Sequence, residues 1–353
     1  MYNEPAILNG LRPLEMEMLR TEVRTATERK TLINKPNAAL IVKTGDDWLK
    51  QEQQTAAPRR LFGSFWYEHE LCILFADTNM GKSILAVQLG NALARAESVG
   101  PIGSDVGSPL TVLYIDFELS AKQFEMRYTC PATGNQHSFG PHFYRAEFNP
   151  MAELMTDTPP RQLLKYAIEK ALHQTDATVL IIDNLTCLRS GTEQATEALA
   201  LLSYLKELKT RLKLSILLLA HTPKRNPLKP ITRNDLQGSK MLINFADSAF
   251  AIGESHKEPG LRYLKQIKQR SAPEVHGSHN VCLCRLARVG WFLRYEFTGY
   301  APEQEHLGQP QQVHTRIAEL HAQGLSQRQI AAALNVSKTT VARRIGKQDA
   351  PAE

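Results

Sequence analysis

The sequence predicts an α/β chain: a mostly parallel sheet flanked by helices, antiparallel strands at one edge, and a small all-α unit behind it. Three observations predict this. Short apolar runs of strand length (Leu71–Ala76, Thr111–Ile115, Thr178–Ile182 and Ser215–Ala220) alternate with longer amphipathic stretches, of which Ser83–Glu97 and Glu193–Leu212 are the clearest. Strands separated by helical segments imply βαβ units and a buried parallel sheet. After Phe245 the strand candidates shorten (Phe250–Ile252, Arg262–Ile267, Asn280–Leu286, Trp291–Phe297), the pattern of antiparallel additions to a sheet edge. Third, Val313–Ile345 repeats apolar residues at helical spacing in three short segments.

The chain has 353 residues, too long for one ordinary domain, so two domains with flanking arms are expected. The boundaries read as an N-terminal arm over 1–58, partly helical over Leu14–Lys30, the α/β domain over 59–298, a Gly/Pro/Gln-rich linker over 299–312, the helical unit over 313–347, and a polar tail over 348–353. Apolar residues make up 42% and charged residues 22%, an ordinary globular composition. No run approaches the length of a membrane span, and the first residues lack the apolar core and cleavage site of a secretory signal, so no membrane association and a cytoplasmic location are expected. Five scattered cysteines imply reduced thiols. Cys282 and Cys284 alternate along an apolar run without a second ligand pair nearby, which favours a structural role over zinc.

The strongest signal is Leu71-Cys-Ile-Leu-Phe-Ala-Asp-Thr-Asn-Met-Gly-Lys-Ser83, running on into Ile84-Leu-Ala-Val-Gln-Leu-Gly-Asn-Ala-Leu-Ala94. A buried strand enters a small-residue loop, and Gly-Lys-Ser opens a helix; this is the context of a phosphate-binding P-loop. Asp77, Thr78, Asn79, Met80, Gly81, Lys82, Ser83 and Ile84 form the nucleotide cradle, with Lys82 on the β- and γ-phosphates and the Ser83 hydroxyl on Mg²⁺. Ala76 occupies the position of the motif's first glycine, and would be strained if that position needs a positive φ.

Three further strands end in polar groups at the place where this topology opens its crevice. Glu118 follows Leu113-Tyr-Ile-Asp116-Phe and is placed to orient the water that attacks the γ-phosphate; Asp116, still within the strand, reads as support. Asp183 closes Val179-Leu-Ile-Ile, the Walker B pattern, and is the second Mg²⁺ residue. His221 ends Leu217-Leu-Leu-Ala and is a candidate for sensing the γ-phosphate.

The set resembles the RecA-like hexameric helicases and AAA-type ATPases, particularly the plasmid replicative helicases. The matching residues are Ile115-Asp-x-Glu118, Leu180-Ile-Ile-Asp183, His221, Asp235-Leu-Gln-Gly-Ser239, Ala246-Asp247 and Lys265-Gln-Ile-Lys-Gln-Arg270; Ala76 and Gln237 depart from the pattern. The resemblance implies a RecA-like P-loop NTPase core, ATP and Mg²⁺ as ligands, a homo-oligomer of hexameric kind, and Lys268 and Arg270 as residues reaching a neighbouring subunit's γ-phosphate. It also implies that two loops line a DNA channel: Thr186–Thr192 with Arg189, and Thr222–Lys240 with Lys224, Arg225, Lys229, Arg233 and Lys240. The second lacks aromatics, so base stacking is not expected there.

In the C-terminal unit Ser326 and Ser337 stand at N-cap positions. Ile317, Leu320, Ile330, Ala331, Leu334, Val336, Val341 and Ile345 form one apolar set. Val313–Lys347 carries six basic residues against one acidic residue, a field suited to a polyanion. The unit resembles the helix-turn-helix of resolvases and bacterial regulators. That resemblance implies double-stranded DNA as partner, with Lys338, Thr339, Thr340 and Arg343 facing DNA and Arg344 a phosphate. Two functions follow: a DNA-dependent ATPase or helicase of a plasmid or other mobile element, or a DNA-binding regulator or partition-like factor that uses ATP as an assembly switch.

Overall fold

The computed structural model describes residues 40–149, 151, 160–184, 194–222, 225, 226, 228–236, 240–308, 310–334 and 336–348. The described residues fall into two units that divide between Ala57 and Pro58. Within the first, helix α1 (Gly45–Glu52) starts at Thr44, whose side chain accepts the Asp47 N–H at 3.1 Å. The helix expected over Leu14–Lys30 lies outside the described residues.

In the second unit β1 (Arg60–Phe62) and β2 (Trp66–Tyr67) form a small hairpin. The main elements follow in order: β3 (Leu71–Ala76), α2 (Lys82–Ala94), β4 (Val112–Asp116), α3 (Ala121–Arg127), β5 (Phe143–Glu147), α4 (Pro160–Thr175), β6 (Val179–Asp183), α5 (Gln194–Leu212), β7 (Ser215–His221), α6 (Lys240–Phe245), β8 (Ser248–Glu254), β9 (Leu261–Lys268), β10 (Val281–Val289) and β11 (Phe292–Ala301). Nine strands make one sheet in the order β11-β10-β9-β8-β3-β7-β6-β4-β5. From β5 to β8 the pairings are parallel, and β9 to β11 extend the sheet antiparallel. The expectation for β8 is corrected: it joins β3 in parallel, because the short α6 returns the chain to the sheet's starting edge.

All side chains of β3, β4 and β6 are buried, as continuous apolar runs in a doubly covered sheet require. Each large one contributes about 1.5–3 kcal/mol relative to exposure. One apolar cluster lies on each face of the sheet. Helix α2 is apolar on all sides and almost wholly buried, as such a helix must be. Its Gly90 lies so close to the sheet that a Cβ there would meet Phe143 at 2.7 Å and Ile181 at 3.2 Å.

Two boundaries differ from the sequence reading. Strand β11 runs to Ala301, and Glu303 beyond it is 1% exposed and ion-paired with Lys265. Residues 299–307 are therefore part of the α/β core, tied there by a buried charge pair, although their composition reads as a linker. Strand β5, an edge strand of partly exposed residues, has no counterpart among the predicted runs.

Helices α7 (Pro310–Ala322), α8 (Gln327–Ala333) and α9 (Lys338–Gln348) enclose a third cluster of Ile317, Leu320, Ile330, Ala331, Val341 and Ile345, with Leu334 and Val336 packed against it. Ser326 caps α8 in a reciprocal pair with Gln329, and Ser337 accepts the Thr340 N–H at 3.0 Å. Among the described residues no helix is long and apolar enough to cross a membrane.

Candidate nucleotide and DNA sites

Parallel register sets the site. Ala76 lies opposite His221, and Asp116 opposite Asp183, so four strands deliver polar groups to one rim. The P-loop follows β3 at that rim. Ala76 is still strand, and the left-handed positions are Asn79 (φ 65°) and Gly81 (φ 81°). The penalty considered for Ala76 therefore does not arise.

Lys82 opens α2 and is 5% exposed. Its ammonium donates to the carbonyls of Ala76 and Asp77, both at 3.2 Å, and contacts His221 Nδ1 at 3.1 Å, which occupies all three of its donors. His221 Nε2 lies 3.2 Å from Glu118 Oε1. An ammonium only donates and a carboxylate only accepts, so the tautomer with its hydrogen on Nε2 satisfies both contacts. Asn184 donates its amide to the same Glu118 oxygen. The His221 hydrogen bond, with Asn184 and the Lys82 charge, takes the Glu118 carboxyl down to about 2. Burial lowers Lys82, against the raising effect of Glu118, Asp183 and Asp77.

Asp183 is fully buried. Its Oδ2 accepts from the Tyr114 hydroxyl at 2.6 Å, while Oδ1 is buried without a hydrogen-bond partner among the described residues. Burial raises this carboxyl to about 6, and Ser83 and Tyr114 oppose the rise. An orphaned carboxylate oxygen beside the P-loop serine fits a divalent cation. Among the described residues no three His, Cys, Asp or Glu gather into a metal cage, so the donors fit an ion that arrives with phosphate oxygens. Cys282 and Cys284 are buried, and burial alone pushes the Cys282 thiol up to about 12, as expected of a structural cysteine.

Several site residues had no signal in the sequence. Arg145, on the edge strand β5, pairs with Asp116 at 3.0 Å and donates to Leu119 O at 2.6 Å. Asp116 in turn accepts the N–H groups of Glu118 (3.1 Å) and Leu119 (2.9 Å), fixing the turn that presents Glu118. Asp77 accepts from Thr222. Tyr295 and Arg262 sit against the outer side of the P-loop.

Lys268 and Arg270 lie elsewhere. Lys268 pairs with Ala249, near the start of β8, and so belongs to the opposite end of the sheet from the P-loop. It donates to Ile243 O and Ala246 O, each at 2.7 Å, at the end of α6; Arg270 approaches Asp247 at 3.4 Å and is half exposed.

Of the channel residues, Arg189 and Lys224 lie outside the described residues, as do Gln237–Ser239 and the side chain of Lys240. Arg225 is corrected: its side chain is 8% exposed, 3.9 Å from Asp77, and bonded to Lys229 O, so it is turned inward rather than offered to DNA. On α9, Lys338, Thr339 and Arg343 are exposed. The Thr340 hydroxyl is paired with Ser337 at 2.7 Å as part of the cap, and Arg344 is half buried.

Fold and site together define a RecA-like P-loop ATPase with a helix-turn-helix at its C-terminal side. The AAA domain profile matches residues 38–227, more than half of the sequence, and the chain belongs to that family. A helix-turn-helix domain profile matches residues 314–347. A search of curated proteins returns no match. Among solved structures, a KaiC-like protein from the hyperthermophilic archaeon Pyrococcus horikoshii OT3 aligns over 65% of this chain and 91% of its own, at 12% identity and a TM-score of 0.44.

Proposed function

We propose that the chain is a DNA-dependent ATPase of the hexameric helicase type, serving the replication or mobilisation of a plasmid or other mobile element. The observation that carries the reading is the hydrogen-bonded run Lys82–His221–Glu118–Asn184 at the P-loop rim, with Lys268 and Arg270 at the far end of the same sheet. A pair so placed cannot serve its own P-loop and fits a role toward a neighbouring subunit.

In this reading Lys82 exchanges the Ala76 and Asp77 carbonyls for β- and γ-phosphate oxygens, and the N–H groups of Thr78 to Ser83 wrap the phosphates. Ser83 and Asp183 would hold Mg²⁺, which would supply positive charge against the phosphates. Glu118, an ionised and weakly basic carboxylate, orients the attacking water through its charge and geometry. His221 loses its Lys82 contact as phosphate arrives and so senses nucleotide. Lys338, Thr339 and Arg343 lead the helix that enters the DNA major groove.

ATP turnover measured with and without single-stranded DNA, on protein sized by light scattering, tests this. Strong stimulation in a hexamer supports a motor. Slow, unstimulated turnover by a dimer replaces it with the other reading, a DNA-bound factor switched by ATP.

A further inference from the structure

The antiparallel strands contribute nothing to the P-loop motif, yet they grip it. Tyr295, on β11, is 1% exposed, and its backbone is clasped by the Gln88 amide of α2, which donates to Tyr295 O at 3.0 Å and accepts from Tyr295 N at 2.8 Å. The Tyr295 hydroxyl donates to the carbonyl of Met80. Arg262, on β9, donates through Nη1 to the Tyr295 hydroxyl and through Nη2 to the carbonyl of Asn79, both at 3.3 Å. A Cβ at Gly81 would lie 2.6 Å from the Tyr295 oxygen and 3.2 Å from Arg262 Nη1. Glycine is thus required there twice over, by its φ of 81° and by this close approach.

We propose that Tyr295 and Arg262 are positioning residues of the nucleotide site, holding the carbonyls of Met80 and Asn79 outward so that the adjoining N–H groups of Gly81 and Met80 are set toward bound phosphate. In a trans peptide the carbonyl and the next N–H point in opposite directions, so anchoring one aims the other. Successive N–H groups so aimed make an anion-binding concavity. Among the described residues the Met80 N–H makes one long bond, 3.4 Å to Asp77 O, and is readily turned to an anion. Burial raises the Tyr295 pKa, which keeps the hydroxyl as a donor. The inference rests on the ATP-binding reading and adds to it two residues that share no motif with the loop.

The test uses the full chain and its Tyr295→Phe, Arg262→Gln and Arg262→Lys variants, with Mg-ATP binding by calorimetry, steady-state kinetics, and thermal unfolding without nucleotide. Loss of one such hydrogen bond weakens binding roughly fivefold to tenfold. Tyr295→Phe is expected to show that loss as a raised KM with kcat nearly unchanged, alongside a ligand-free Tm lower by a few degrees because the Met80 carbonyl is left unpaired. Arg262→Gln is expected to behave alike, Arg262→Lys to recover part of the affinity, and the Phe/Gln double variant to lose less than the product of the singles. Wild-type affinity in Tyr295→Phe overturns the proposal, as does an affinity loss in Arg262→Gln that Arg262→Lys does not reduce. Wild-type protein that fails to bind Mg-ATP overturns the ATPase reading itself, and this inference with it.

Discussion

Glu303 and Lys265 offer a sharp energetic test of how the core is closed. The pair is almost solvent-free, with side-chain exposures of 1% and 7%. Both main-chain groups of Ile231 depend on it: its N–H donates to Glu303 at 2.8 Å, and its carbonyl accepts from Lys265 at 2.7 Å. Glu303→Leu would leave a buried ammonium without its counter-charge and orphan the Ile231 N–H and the Tyr263 hydroxyl. Breaking one side of such a pair costs about 3–5 kcal/mol. At roughly 2–4 °C per kcal/mol for a domain of this size, Tm should fall by on the order of 10 °C. Lys265→Met combined with Glu303→Leu removes both charges and leaves the two Ile231 groups and the Tyr263 hydroxyl without these partners, at about 1–3 kcal/mol each. The double variant should therefore be clearly more stable than the sum of the single losses requires. Urea denaturation of the full chain and the three variants supplies the cycle. Additive losses, or a Glu303→Leu cost under about 1 kcal/mol, would refute the reasoning.

Three further outcomes are expected. Lys82→Ala loses tight nucleotide binding, whereas Glu118→Gln keeps it and loses turnover by about 10²–10⁴-fold, so wild-type turnover in the Gln variant removes Glu118 from the mechanism. Arg145→Met frees Asp116 and loosens the Glu118 turn; kcat should fall with little change in ATP affinity, and equal losses in both would show a general structural effect instead. Burial pushes His137 down to about 4 and lowers His256, His276 and His306 as well, so the folded protein resists protons that the unfolded chain accepts. Stability is then full above the unfolded histidine pKa of about 6.5 and falls as pH drops from there toward 4. Denaturation midpoints at pH 7 and pH 5 measure this; His137→Gln should reduce the difference, and an unchanged midpoint contradicts it.

What the sequence made legible was local in the chain. Lys82, Glu118, Asp183 and His221 each follow an apolar run that names its strand, and parallel pairing then forces the run ends onto one rim. The caps at Ser326 and Ser337 and the apolar set of the helix-turn-helix were readable for the same reason. What escaped was long-range or carried on polar strands. Arg145 sits on an edge strand whose alternating exposed residues leave no apolar signature. Tyr295 meets Met80 across 215 positions of sequence, through antiparallel strands that no motif links to the P-loop. Glu303 was hidden by turn-forming neighbours that suggest a linker, and Arg225 by a proline-broken, basic loop that suggests exposure. In both cases a buried charge found its partner on a distant element, which composition does not record.

The loop after β7 gains a physical meaning from these anchors. It leaves the sheet at His221, which touches both Lys82 and Glu118, and its next residue, Thr222, is bonded to Asp77 of the P-loop. It returns at Ile231, held on both main-chain groups by Lys265 and Glu303. Arg225 is turned toward Asp77 between these points. A segment fixed at both ends cannot absorb a shift at His221 by sliding; the change must appear within the loop or strain the far anchor. Glu303 belongs to the short stretch between β11 and α7, so the far anchor of the loop is also one of the buried ties before the helix-turn-helix, together with His306, which is bonded to Ser255 and His256. A shift at His221 that reaches Ile231 arrives at the Lys265–Glu303 pair, and the cavity beside Arg225 is also lined by Arg316 and Leu334 of the helix-turn-helix, so weakening the pair should weaken only the part of any coupling that runs through Ile231.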